Sequence, residues 1–259
     1  MRIRVLGSCG AWPEPGRACT GFLISDAGRH LVVDLGYGTA PRLFAALPAD
    51  RLDAVVLTHA HPDHMLDVHA LLRARHYGFR GAGLPRLPVY APAGLAEVLA
   101  PLEGADGAEL LAAAFDWHEY RPGSSIDLDP VRIELVALPH YVPNAGVRVT
   151  GPGGVFAYTG DTGPDPAVAR LGAGADLFAV DATFQDRPVS TVIPDQRFNL
   201  SAREAAGFAA QAGARRLLLT HFWPGADRSR AAAEAAEHFS GPILVADEDQ
   251  VIELTGPDM

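Results

Sequence analysis

The chain has 259 residues and a formal net charge of −10, with 48% hydrophobic against 20% charged residues, the balance of a soluble globular protein with one extensive core. That acidity argues against a general nucleic-acid binder, which needs a basic surface. All 21 basic residues are arginine, which excludes Schiff-base lysine chemistry and the lysine of a phosphate-binding P-loop.

Taken in order, residues 2–6 and 20–25 read as strands, separated by a segment too dense in glycine and proline for a helix or central strand. The early strand leaves no room for a signal-peptide apolar region, and no apolar run approaches the ~20 residues of a membrane span, so the expectation is a cytoplasmic protein without a membrane partner. Cys9 and Cys19 are too few for a disulfide framework and read as buried free thiols. Arg29–Asp34 is a third strand and Pro41–Ala46 a short helix. Met65–Ala74 has helical periodicity, with Leu66, His69 and Leu72 near one stripe. Arg86–Tyr90 is a strand, placed at a sheet edge by Pro88. Leu95–Ala100 and Ala108–Ala114 follow as helices, and Val131–Leu138 as a strand.

The second half repeats the alternation. Val147–Val149 and Val155–Thr159 are strands joined by a turn at Gly151-Pro152-Gly153-Gly154. Asp176–Val180 is a strand and Arg216–Thr220 a buried strand. Ser201–Ala212 is a helix with a capping-box pattern at Ser201 and Glu204. Asp227–Phe239 is another helix, and Ile243–Ala246 and Gln250–Leu254 are closing strands. These elements predict an α+β protein: two sheets packed face to face with helices outside, in one domain over residues 1–259.

The chemistry concentrates in Thr58-His59-Ala60-His61-Pro62-Asp63-His64, directly after the buried strand Val55-Val56-Leu57. Four good metal ligands within six residues, leaving a sheet edge, form a site suited to zinc. His59 and His61 converge on one ion, and Asp63 and His64 point to a neighbouring position. Three further candidates sit at strand ends, namely His140, Asp161 and His221. His59, His61 and His140 make the three-histidine set of an open catalytic zinc site. Asp63, His64 and His221 make a second set, and Asp161 can bridge the two through its two oxygens. Asp34, also at a strand end, is placed to orient a ligand histidine or to cap a turn. His30, His118 and His238 read as solvent-facing, His69 as packing or support for the site, and His76 as a weaker candidate for substrate contact.

This pattern resembles the metallo-β-lactamase-fold hydrolases over nearly the whole chain, through the H-x-H-x-D-H loop, His140, Thr159-Gly160-Asp161-Thr162 and His221. The resemblance implies a four-layer αββα sandwich with two divalent metal ions, zinc first and manganese or iron as alternatives, at one edge between the sheets. Within that family it is most similar to the ribonuclease Z-like branch and its small cyclic-nucleotide phosphodiesterase relatives. The finer likeness rests on Val5-Leu6-Gly7-Ser8-Cys9-Gly10 with Thr20-Gly21-Phe22-Leu23-Ile24, on Asp181-Ala182-Thr183-Phe184, and on Leu200-Ser201 leading to Thr220-His221-Phe222.

Two departures shape the functional expectation. Ribonuclease Z carries a tRNA-binding arm between the positions of His140 and Asp161, which here lie only 21 residues apart; with the net charge of −10 this argues against tRNA processing. The branch also has a histidine where this chain has Asn199, donating to the scissile phosphate and oriented by a carboxylate at the position of Asp181. Asparagine still donates a hydrogen bond but cannot act as a general acid. The leading expectation is a dinuclear phosphodiesterase acting on small nucleotides, cyclic ones included, by metal-activated hydroxide, with Asp63 and Asn199 as catalytic groups. The alternatives are a carboxylic ester, thioester or lactone hydrolase using the same metals, and a non-catalytic metal- or nucleotide-binding relative. The resemblance also implies a homodimer.

Overall fold

The fold is drawn from a computed structural model, which describes residues 1–79, 83–185 and 196–256. Two seven-stranded mixed sheets face each other. The first contains β1 (Arg2–Gly7), β2 (Gly21–Asp26), β3 (Arg29–Leu35), β4 (Ala54–Val56), β5 (Leu87–Ala91) and β6 (Phe115–Glu119) side by side. The second runs through β7 (Ser125–Leu128), β8 (Val131–Leu138), β9 (Asn144–Gly151), β10 (Gly154–Tyr158), β11 (Leu177–Asp181), β12 (Leu217–Thr220) and β13 (Ile243–Val245). The last strand, β14 (Val251–Glu253), returns to pair with β1. Each sheet is antiparallel on one side and parallel on the other.

Helices α1 (Thr39–Ala46), α2 (Pro62–Met65), α3 (Val68–Arg73), α4 (Leu95–Leu99) and α5 (Gly107–Ala114) belong to the first half of the chain. Helices α6 (Pro166–Leu171), α7 (Ala202–Ala212) and α8 (Arg228–Ala236) belong to the second. Neighbouring residues on a strand serve different layers, which is why the strands read as continuous apolar runs. Val33 and Val56 join the core between the sheets with Phe156, Tyr158 and Leu218. Val32 and Val55 face outward onto Leu43, Val68 and Leu71. On the other side, Val180 and Leu219 meet the alanine face of α7 and α8, formed by Ala205, Ala206, Ala209, Ala231 and Ala235. The αββα arrangement is the one expected, and no helix among the described residues is long and apolar enough to cross a membrane.

Three expectations are corrected. Strand β5 is interior, paired in parallel with both β4 and β6, although it contains Pro88. Backbone groups alternate sides along a strand, and the Tyr90 carbonyl accepts from Leu57 N on the β4 side. Pro88 shares that side, but the ladder to β4 begins only at Val89, so its missing N–H removes no bond. The helix expected over Met65–Ala74 is broken. Asp67 donates its N–H to the Leu35 carbonyl at the end of β3 instead of continuing the α2 ladder, and its carboxylate accepts from Ala40 N in the first turn of α1. Third, β6 and β7 were not foreseen; they are edge strands, and β6 alternates Phe115 and Trp117 with polar residues. The turn between β9 and β10, the buried free thiols of Cys9 and Cys19, and the capping box of α7 agree with expectation.

Ser201 Oγ accepts from Glu204 N at 3.3 Å while Glu204 Oε2 accepts from Ser201 N at 3.0 Å. Ser201→Ala is therefore expected to lower unfolding free energy by about 1 kcal/mol. Denaturant titration checks this, and a midpoint equal to that of the parent chain would contradict the capping role.

Candidate metal centre

All seven residues expected to hold metal meet at one edge of the sandwich. The loop after β4 supplies His59, His61, Asp63 and His64, with the last two on α2. His140 follows β8, Asp161 follows β10 and His221 follows β12. Functional groups thus cluster just past strand ends, where loops are free of ladder pairing. Two sets form, one of His59, His61, His140 and Asp161, the other of Asp63, His64 and His221, and a third, of Asp161, Asp181 and His221, overlaps both. In the first, His61 Nδ1 lies 2.9 Å from His59 Nε2 and 3.2 Å from His140 Nε2. In the second, His64 Nε2 and His221 Nε2 are 3.1 Å apart, and Asp63 Oδ2 is 3.3 Å from His221 Nε2.

Asp161 stands between them. Its Oδ1 lies 3.1 Å from His64 Nε2 and 3.0 Å from His221 Nε2, while its Oδ2 lies 3.8 Å from His140 Nε2. Asp161 Oδ1 is nonetheless buried without a hydrogen bond. Donor atoms that crowd together without pairing properly are arranged around a common point, and histidine nitrogens with carboxylate oxygens are the donor set that holds zinc or a similar divalent ion. The residues present fit such a group.

The outward nitrogens of His59, His64, His140 and His221 are held separately. His59 Nδ1 meets Thr58 Oγ1 at 3.0 Å, and that hydroxyl donates to Asp34 Oδ2 at 2.8 Å. The same Asp34 oxygen lies 2.8 Å from His64 Nδ1, so one carboxylate orients a histidine of each set. His221 Nδ1 meets Thr183 Oγ1 at 2.8 Å, which donates to Asp181 Oδ1 at 2.5 Å. His140 Nδ1 lies 3.0 Å from the Phe198 carbonyl. Such partners select the ring tautomer that presents a lone pair inward. Asp34 thus lies against His64 and Thr58, and Asp181 reaches His221 through Thr183, a contact the sequence did not foresee. Thr58, Thr183 and the Phe198 carbonyl were missed, because a hydroxyl or carbonyl has no sequence signature of its target.

Asp34 and His221 both adopt a left-handed backbone, each with φ of 59°. Non-glycine residues there carry strain on the order of 1 kcal/mol or more, characteristic of functional sites. The β1–β2 loop closes over His221, with Gly10 N donating to the Phe222 carbonyl and Phe222 N to the Ser8 carbonyl. A Cβ on Gly10 would lie 2.5 Å from His221 Cε1, so only glycine admits the ring. One residue on, Ala11 N donates to Asp63 Oδ2 at 2.6 Å.

Burial, reinforced by neighbouring imidazoles, holds His59 well below the ordinary histidine range, takes His61 to about 4 and lowers His140. All three are neutral, with lone pairs free. Burial also opposes charge on His64 and His221, but Asp161 and Asp63 outweigh it, pushing His64 up to about 10 and raising His221. Burial likewise opposes ionisation of Asp63, yet His64 and His221 bring it to about 2, and the same imidazoles hold Asp161 low. Burial raises Asp181 to about 6. The second set thus pairs anionic carboxylates with cationic charge, which a divalent ion would supply instead of protons.

Asn199 is present at the site: its Nδ2 lies 2.9 Å from Asp181 Oδ2 and 3.3 Å from Asp161 Oδ2. Of the other histidines, His69 pairs with Glu103 at 2.7 Å and supports no ligand. His76 lies against Tyr77 and lines a surface cavity with Arg75, Phe79 and Leu84. His118 pairs with Asp116 on exposed β6, while His30 is half-buried against Ser25 and not solvent-facing as expected. Tyr141, also missed, packs its ring on His61 and His140 at centroid distances of 4.6 and 4.5 Å.

The double use of Asp34 gives a direct test. Asp34→Asn keeps an oxygen for the Thr58 N–H but loses the acceptor facing His64. It is expected to weaken metal binding by about 10–100-fold. Competition against a chromophoric chelator measures this, and unchanged affinity would remove Asp34 from the site.

Fold and site together define the class: the chain belongs to the β-lactamase superfamily, whose domain model matches residues 23–222. Among its relatives, ribonuclease Z of Mycobacterium bovis (strain BCG / Pasteur 1173P2) is 31% identical over 277 residues, covering 98% of each chain. The probable metallo-hydrolase YhfI of Bacillus subtilis (strain 168) is 29% identical over 251 residues, covering 95% of this chain and 97% of YhfI. The crystal structure of YhfI, a metallo-β-lactamase fold protein, superposes with a TM-score of 0.84 at 27% identity, covering 97% of this chain and 98% of YhfI. The short form of human tRNase Z superposes with a TM-score of 0.78 at 23% identity, covering 98% and 99%, a likeness of fold.

Proposed function

We propose that this chain is a dinuclear metal-dependent phosphodiesterase acting on small nucleotides, cyclic ones included. The observation that carries the reading is Asp161, with one oxygen among His64 and His221 and the other toward His140. His59, His61 and His140 would hold one ion and Asp63, His64 and His221 the other, with Asp161 shared. Two divalent ions there, zinc first and manganese or iron as alternatives, would supply Lewis acidity toward a phosphoryl oxygen and a hydroxide nucleophile at neutral pH.

The chain's own groups do the positioning. Asp63, fixed by Ala11 N, orients the attacking water. Asn199 has two amide hydrogens, and the longer contact, to Asp161, is the one a phosphoryl oxygen would replace while Asp181 keeps the other. The segment from His140 to Asp161 is fully taken up by a loop and the tight β9–β10 hairpin. That hairpin and the net charge of −10 support a small substrate over tRNA.

Asn199 also supports a second reading. A neutral amide cannot protonate a poor leaving group, so hydrolysis of a carboxylic ester, thioester or lactone on the same metals is the alternative. A substrate panel on protein of counted metal content separates the two: bis-p-nitrophenyl phosphate, 3′,5′- and 2′,3′-cyclic AMP, a p-nitrophenyl ester and an acyl thioester, each with and without chelator. Chelator-sensitive turnover of the phosphodiesters alone is expected. Turnover of the carboxylic esters alone would select the second reading, and silence with two metals bound would select a binding protein.

A further inference from the structure

We infer that Trp12 and Trp223 form a stacking platform for the planar base of the substrate, an assignment that rests on the small-nucleotide reading above. Among the described residues the exposed aromatic rings are Trp12, Phe44, Tyr77, Tyr141 and Trp223. Tyr141 packs on His61 and His140, and Trp12 and Trp223 lie one and two residues along the chain from Ala11 and His221, which meet at Asp63. Isolated exposed aromatics are ordinary, but a group of them beside a polar site marks a binding surface.

Trp12 follows Ala11, whose N–H is bound to Asp63, and Trp223 lies two residues beyond His221. The indoles meet edge to face, with centroids 5.0 Å apart and planes at 81°. Phe184, next to the Thr183 that orients His221, lies nearly parallel to Trp223 at 6.4 Å. The two tryptophans hold one another in place yet remain 47% and 45% exposed. Both indoles are thus pre-ordered with apolar surface left in water, the condition under which stacking a flat ring gains most. Tyr141 differs in role, since its ring already rests on His61, His140 and Phe198.

The occupant follows from this chemistry. A phosphodiester reaching the ligand cluster carries its organic group outward past the rim, and an aromatic wall there recognises a π-face without reading hydrogen-bond pattern. A nucleobase meets that requirement and an aliphatic ester does not. The platform therefore accepts purines and pyrimidines with modest discrimination.

Calorimetric titration of the metal-loaded protein with adenosine 5′-monophosphate and with ribose 5-phosphate tests the platform, because the two share a phosphate and differ in the base. AMP is expected to bind about tenfold more tightly or better. That advantage is expected to vanish in the Trp12→Ala/Trp223→Ala double variant and to persist in large part in Trp223→Phe. Both indoles are half exposed, so truncation leaves the core intact; circular dichroism and metal content verify this. Equal affinities in the parent chain, or an advantage that survives the double variant, would overturn the platform and leave the phosphodiesterase reading standing. Absence of binding by both ligands would overturn the two together.

Discussion

Asp161→Ala is expected to reduce bound metal from two ions per chain to one or none. The physical reason is its position: its two oxygens face separate sets of imidazoles, and no other carboxylate in the described structure does so. Removing the groups that merely orient metal ligands costs 10–100-fold in affinity or activity, so loss of a shared ligand is expected to cost at least about a hundredfold in turnover. Elemental analysis after dialysis reads the first quantity and the substrate panel the second. Two ions retained at full affinity would break the shared-ligand assignment, and with it the dinuclear reading.

Asn199→His is expected to act in the opposite direction. The amide of Asn199 already sits 2.9 Å from Asp181 Oδ2, so an imidazole introduced there has a carboxylate waiting to orient it. A positioned general acid contributes roughly 10²–10⁴-fold, and an engineered one is expected to recover about tenfold or more in kcat for a 3′,5′-cyclic nucleotide, whose leaving alkoxide is poor. Turnover of bis-p-nitrophenyl phosphate, with its good leaving group, is expected to change little. Equal gains on both substrates would assign the effect to charge or binding instead of proton transfer. No gain on either would place Asn199 outside the chemistry.

The fold and the gathering of the candidate donors were legible because their signals are local. His59, His61, Asp63 and His64 stand together after one apolar strand, and His140, Asp161 and His221 each follow a strand of their own. Strand ends on a layered sheet scaffold converge by construction, so placing seven residues needed only the positions of the strands. Asp34 was noticed for the same reason, at the end of β3.

What remained hidden depends on contacts between distant segments. Periodicity reports which face of an element is buried, but not which backbone group receives a given N–H. Hence Pro88 suggested an edge, while the register of β4 against β5 leaves its side of the strand unpaired there. Hence also the expected helix breaks at Asp67, whose N–H is taken by Leu35 of β3. The hydroxyls of Thr58 and Thr183 and the carbonyl of Phe198 acquired roles only when the fold brought histidine nitrogens to them. The sequence by itself determined the donor types, their order and the layered scaffold, since these follow from composition and local pattern. Tertiary structure alone decided which histidine nitrogens face inward, that Asp34 serves both sets, and that Trp12 and Trp223 meet edge to face. Those are distances between residues far apart in the chain, and only packing sets them.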